Sequence, residues 1–138
     1  MLVVLDTNVL VSGLLNGNGS PGKIIDRVMD GRIRVAYDDR IMGEYEDVLH
    51  RPELHIRPAL AGAVIAYIEL AGVLVEPHPL KVHEFNDVDD LPFAEVFVTS
   101  KADTLVSGNL RHFLPLIQKG MAVMSLADFL VAFYPKED

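Results

Sequence analysis

The chain has 138 residues, 50% hydrophobic and 23% charged, which supplies the core of one domain over 1–138 and excludes a disordered chain. Twenty acidic against twelve basic residues leave a formal charge of −8. That disfavours binding to nucleic acid by counterion release alone, although bound cations would change the local sign. Cysteine is absent, so disulfides and thiolate metal sites are excluded, as suits a reducing cytoplasm.

The first element is Leu2-Val3-Val4-Leu5, apolar without alternation, the pattern of a strand buried on both faces of a parallel sheet. Asp6 ends it, and Thr7-Asn8 open a helix expected over 7–16. This start carries Asp6 and Asn8 and no basic leader, so it is a poor signal peptide. Asn16-Gly17-Asn18-Gly19 is a loop, and Ser20-Pro21 offers an N-cap and a first-turn proline for a helix toward Gly31. Residues 33–37 read as a second strand, and Asp38 caps a helix reaching about His50.

Arg51-Pro52 and Arg57-Pro58 interrupt the chain before an apolar helix over 59–72. The apolar stretch 59–75 is short for a membrane span and carries Glu69, so it is expected to pack in the core, with no membrane partner. A third strand at 73–76 leads into a loop over 77–86. A helix over 90–101 follows, with Pro92 tolerated in its first turn. A strand at 104–107, a helix at 110–119 and a strand at 122–124 complete the alternation, and Ser125 with Asp128 makes a capping box for a last helix. Strands alternating with helices predict an α/β three-layer sandwich with a central parallel sheet of four to five strands.

In such a sheet, ligands and catalysis gather at the carboxyl ends of the strands. Asp6 stands at one, and Glu44, Asp90 and Asn109 would converge on the same edge. Acids brought together repel and lose hydration unless a cation neutralises them, so a divalent-metal site serving phosphoryl transfer is the economical reading. Helix capping is the plain alternative for Asp6, and one carboxylate can do both. On a wheel at 100° per residue, Ile41, Met42, Tyr45, Val48 and Leu49 centre near Tyr45. Glu44 and Glu46 both border that face, so the pattern does not choose between them, while Asp47 points outward.

Asp90 shares a face with Ala94 and Phe97 in a helix apolar almost all round, where an acid needs a partner or a cation, an N-cap being the competitor. Asp87 and Asp89 are outer acids or a solvated loop. Asn109 follows a strand and Gly108, repeating the geometry of Asp6, and its amide oxygen can ligate a hard cation without charge. Ser107, Thr7 and Asn8 would support the acids from behind, with ordinary capping favoured for Thr7. Arg40, Arg51, Lys101, Arg111 and His112 flank the motifs and could meet phosphates, solvated surface being the ordinary alternative. There is no glycine-rich phosphate loop and no zinc-spaced histidine cluster.

Four segments in order, VVLDTNVLVSGLL (3–15), EYEDVLHRPEL (44–54), DVDDLPFAEVF (87–97) and DTLVSGNLRHF (103–113), resemble the successive motifs of PIN-domain proteins, closest to the prokaryotic toxin-like group related to VapC toxins. The resemblance implies a PIN fold, usually dimeric, with an acidic Mg²⁺ or Mn²⁺ site that cleaves RNA. It places the family's acidic positions on Asp6, Glu44 and Asp90, and the fourth, often Asp, on Asn109. It implies a cytoplasmic metal-dependent ribonuclease, the toxin of a toxin–antitoxin pair, with a small antitoxin as partner. The alternatives are a non-catalytic PIN module binding RNA or protein and, more remotely, an aspartate-dependent phosphatase. That last motif needs a second Asp where this chain has Asn8.

Overall fold

The computed structural model describes residues 1–81, 84–85 and 87–134. Five strands, β1 (Leu2–Leu5), β2 (Arg34–Tyr37), β3 (Val73–Leu74), β4 (Thr104–Val106) and β5 (Val123–Met124), pair in the order β3-β2-β1-β4-β5. Every pairing is parallel. Successive residues of a strand point to opposite faces, and Val3, Val4 and Leu5 are all fully buried, so helices cover both sides of the central strand. The α/β fold with a parallel sheet of four to five strands read from the sequence is therefore present, with five.

The flanking helices are α1 (Thr7–Leu15), α2 (Gly22–Met29), α3 (Asp39–Leu49), α4 (Pro58–Ala71), α5 (Leu91–Ser100), α6 (Leu114–Gln118) and α7 (Leu126–Phe133). The chain steps outward from β1 to β2 and β3, then returns to lay β4 on the other side of β1, with Val3 opposite Thr104 and Leu5 opposite Val106. Connections thus leave β1 and β4 in opposite directions, and such a switch point opens a crevice beyond the strand ends. Asp6 and Ser107 sit at that crevice. Among the described residues, no helix is long and apolar enough to cross a membrane.

Local chemistry corrects three expectations. Ser20 does not cap α2 with its side chain; backbone turns accept the first donors instead, Lys23 N on the Ser20 carbonyl at 3.1 Å and Gly22 N on the Gly19 carbonyl at 3.1 Å. The helix expected over 110–119 divides into a 3₁₀ turn, Leu110–Phe113, and α6, because Pro115 has no N–H to continue a helix and fits only a first turn. The helix expected from Asp90 starts instead at Leu91, and Asp90 closes a 3₁₀ turn, Val88–Asp90. Of the loop expected over 77–86, Val82, His83 and Asn86 lie outside the described residues. Asp38 and Ser125 cap their helices as read, accepting from Ile41 N at 3.0 Å and Asp128 N at 3.1 Å.

Candidate active site

Asp6 is held from two sides. Its Oδ1 accepts from Thr7 N at 2.9 Å, the N-cap of α1, and its Oδ2 accepts from the Ser107 hydroxyl at 2.7 Å across the β1–β4 seam. Burial raises its pKa, against the lowering effect of the Ser107 bond, the Thr7 N–H and the charge of His112. Both readings of Asp6 therefore remain compatible: it caps a helix, and it faces the strand-end crevice.

Glu44 is brought to Asp6 by its neighbour. The buried Tyr45 hydroxyl donates to the Leu5 carbonyl at 2.5 Å and its ring leans on Phe93, which locks α3 against the end of β1. Glu44 is then half-buried and accepts from the Thr7 hydroxyl, while Glu46 and Asp47 are exposed. The ambiguity between the two glutamates resolves to Glu44. Thr7 does not use its hydroxyl for capping; it grips an acid 37 residues away. Burial raises the Glu44 pKa, the Thr7 bond opposes this, and the charges of Asp6, Asp89 and Asp90 raise it further.

Asp90 is only 7% exposed and makes no capping bond to α5. His112 Nδ1 stands 3.1 Å from each of its oxygens, with the hydrogen bond directed to Oδ1. Oδ2 is shielded from solvent and has no hydrogen-bond partner among the described residues. Burial raises the Asp90 pKa; His112 lowers it, and Asp87 and Asp6 add to the rise. The three acids thus lie within each other's field, and each is pushed toward its neutral form.

The surrounding residues divide. Asn109 takes its backbone N–H to Ser107 Oγ at 2.9 Å and its side-chain amide to His112 Nε2 at 2.9 Å. Asn8 Oδ1 accepts from Gly108 N at 3.1 Å and stitches α1 to the turn after β4. Asp87 caps its own turn through Asp89 N at 2.9 Å, and Asp89 is exposed. Arg111 is exposed beside Asn109. Arg51 pairs with Asp47 at 2.8 Å.

Lys101 lies elsewhere: it ends α5 in a left-handed conformation and precedes β4, at the sheet edge opposite Asp6. Arg40 is engaged with Asp38 at 2.7 Å and Glu95 at 2.8 Å. Glu95, a buried acid that the sequence reading passed over, also accepts from Leu80 N at 2.8 Å. The signal was present, because an acid inside the run Phe93-Ala94-Glu95-Val96-Phe97 needs a partner as much as Asp90 does.

The donor set suits a hard cation in kind, since carboxylates raised by burial and one orphaned buried oxygen are short of positive charge. Among the described residues, however, no three acids or histidines are grouped to enclose an ion. An open arrangement matches Mg²⁺, which keeps several waters and uses one or two carboxylates together with substrate phosphate.

Comparison with known proteins agrees with this architecture. A chain of the crystal structure of VapBC2 from Rickettsia felis bound to a DNA fragment from their promoter superposes with a TM-score of 0.58 at 13% identity, covering 91% of this chain and 98% of that one, a likeness of fold. An uncharacterised protein of Methanocaldococcus jannaschii is 31% identical over 105 residues, 72% of this chain and 66% of the relative, so the chain spans just under two thirds of that protein. The family model of the PIN domain matches residues 2–111, from β1 through Asn109. The chain belongs to the PIN domain family.

Proposed function

We propose that the protein is a divalent-metal-dependent endoribonuclease, the toxin component of a toxin–antitoxin pair, with Asp6, Glu44 and Asp90 as its catalytic acids. The observation that carries this reading is the buried Oδ2 of Asp90, without a hydrogen-bond partner among the described residues, in the field of two further acids. Burial pushes both toward neutrality, and neighbouring carboxylates add to the push on Glu44. A protein of charge −8 gains nothing by burying anions there unless a cation offsets them, and the same cation would draw in the anionic phosphodiester. Asp6 and Asp90 would hold Mg²⁺ or Mn²⁺ with Glu44 as third acid, and the ion would neutralise the scissile phosphate and acidify water.

The chain's own residues prepare this. Ser107 and Thr7 N fix Asp6, the Thr7 hydroxyl fixes Glu44, and His112 fixes Asp90, so none of the three must be immobilised when substrate arrives. Tyr45 and Phe93 keep water from behind the acids. Water attacks phosphorus in line, the bond from phosphorus to the 3′ oxygen breaks, and the products are a 5′-phosphate and a 3′-hydroxyl. Arg111, exposed two residues after Asn109, would meet the neighbouring phosphate.

The Rickettsia felis complex supports an antitoxin as partner by analogy of fold, and an acidic groove favours a basic inserted segment. Leu70, 84% exposed on α4, and Leu74, 62% exposed on β3, are apolar surface that a second copy would bury, which supports a homodimer. A cytoplasmic location accords with the cysteine-free sequence.

The rival reading, a non-catalytic RNA- or protein-binding module, draws on the absence of a closed metal cage among the described residues. Digestion of RNA by the isolated protein with Mg²⁺ or Mn²⁺ separates the two. Wild type is expected to cut and to stop in EDTA, and Asp6→Asn to lose at least about 100-fold while its circular dichroism stays native. A folded Asp6→Asn protein that cuts at the wild-type rate would remove this mechanism.

A further inference from the structure

Asn109 follows the turn after β4, and its side-chain amide is taken up by a histidine rather than by an acid. Its amide nitrogen is 2.9 Å from His112 Nε2. An amide nitrogen only donates, so Nε2 accepts, and the proton of a neutral imidazole then resides on Nδ1. Nδ1 is the atom that lies 3.1 Å from Asp90. The Asn109 backbone N–H meanwhile binds Ser107 Oγ, whose own hydrogen goes to Asp6. One residue therefore organises both acids flanking the crevice, Asp6 through its backbone and Asp90 through its side chain.

We infer that His112 is the positioning residue of Asp90 and that Asn109 acts through His112, fixing its Nδ1–H tautomer, rather than as a donor to the cation. The 3₁₀ turn Leu110–Phe113 makes this possible: residues three apart eclipse in such a turn, which places Asn109 and His112 side by side. The half-buried imidazole presents one nitrogen to each neighbour, so it cannot rotate without breaking both bonds. A histidine held this way directs its hydrogen bond to Oδ1 and leaves the buried Oδ2 without one among the described residues. The metal arm of the inference rests on the proposed cation site; the tautomer arm does not.

Two measurements test it. Long-range ¹H–¹⁵N spectra at about pH 8.5, above the ordinary imidazole range, should show His112 as the Nδ1–H tautomer in wild type and as a mixture in Asn109→Ala. Mn²⁺ affinity, read by electron paramagnetic resonance, is then compared in a double-mutant cycle. His112→Ala should weaken binding about tenfold. Asn109→Ala should weaken it in the wild-type background and have no further effect beside His112→Ala. His112→Asn, which keeps an N–H near the position of Nδ1, should recover most of the affinity.

An Nε2–H tautomer in wild type overturns the inference. So does an Asn109→Ala effect that persists without His112, which would make Asn109 a direct donor. Unchanged or tighter Mn²⁺ binding by His112→Ala also overturns it, because the imidazole would then be a bystander or a competitor. If wild type binds no Mn²⁺, the cation reading falls, and the tautomer and its dependence on Asn109 decide the positioning role alone.

Discussion

Asp6 holds a helix end and a strand seam with the same carboxylate, and its charge is strained in doing so. Burial keeps its pKa above the ordinary 3.8, as it keeps that of Glu44 above 4.5. For an acid raised in the fold, ionisation costs stability; the penalty is complete above the raised value and vanishes as pH falls through it toward the ordinary one. In chelator at pH ~7, Asp6→Asn is therefore expected to melt higher, by the equivalent of about 0.5–2 kcal/mol. The gap should close as melts are repeated down to about pH 4. A lower melting point at neutral pH would mean that the ionised carboxylate stabilises the fold. At this scale the sequence spoke clearly where one local rule sufficed. A strand end marked Asp6. Asp90 was marked as a polar position on a buried helix, and it is buried, although in the 3₁₀ turn before that helix. It could not separate Glu44 from Glu46, because the Tyr45 hydroxyl chooses between them by reaching Leu5, 40 residues away. His112 read as surface for the same reason, its two partners being a 3₁₀ neighbour and an acid 22 residues earlier.

Helix α3, which delivers Glu44, and helix α5, which follows Asp90, are joined by Arg40. Its guanidinium forks onto Asp38 and Glu95, whose side chains are each 8% exposed, while Arg40 itself is 47% exposed. Breaking a fully buried pair costs about 3–5 kcal/mol; solvent at Arg40 reduces this, and Arg40→Ala is expected to cost about 2 kcal/mol in urea unfolding. Arg40→Lys should recover only part, since an ammonium cannot fork between two carboxylates. Full recovery by lysine would mean that charge alone matters there. The strands were legible because apolar runs need no partner to declare themselves. Element ends were less so: a backbone turn displaced Ser20 from capping, and Pro115 divided the helix expected over 110–119.

For the whole molecule, an ion that binds only the folded chain must raise its melting temperature. At about 100 times its dissociation constant the gain is about 2.7 kcal/mol. Thermal scans with millimolar Mn²⁺ should show a rise of several degrees in wild type and little in Asp90→Asn. No shift in wild type would count against a site formed before substrate arrives. The alternation of elements foretold a parallel sheet, but not that β4 would settle against β1 rather than beside β3, a decision made by packing over about a hundred residues. That placement has a consequence during synthesis. Asp6 leaves the ribosome well before the hydroxyl that seats it, on Ser107, which follows 101 residues later. A nascent or truncated chain lacking β4 holds the three acids with no seam to set them in, so the arrangement of Asp6 and Ser107 forms only once β4 has been made and folded.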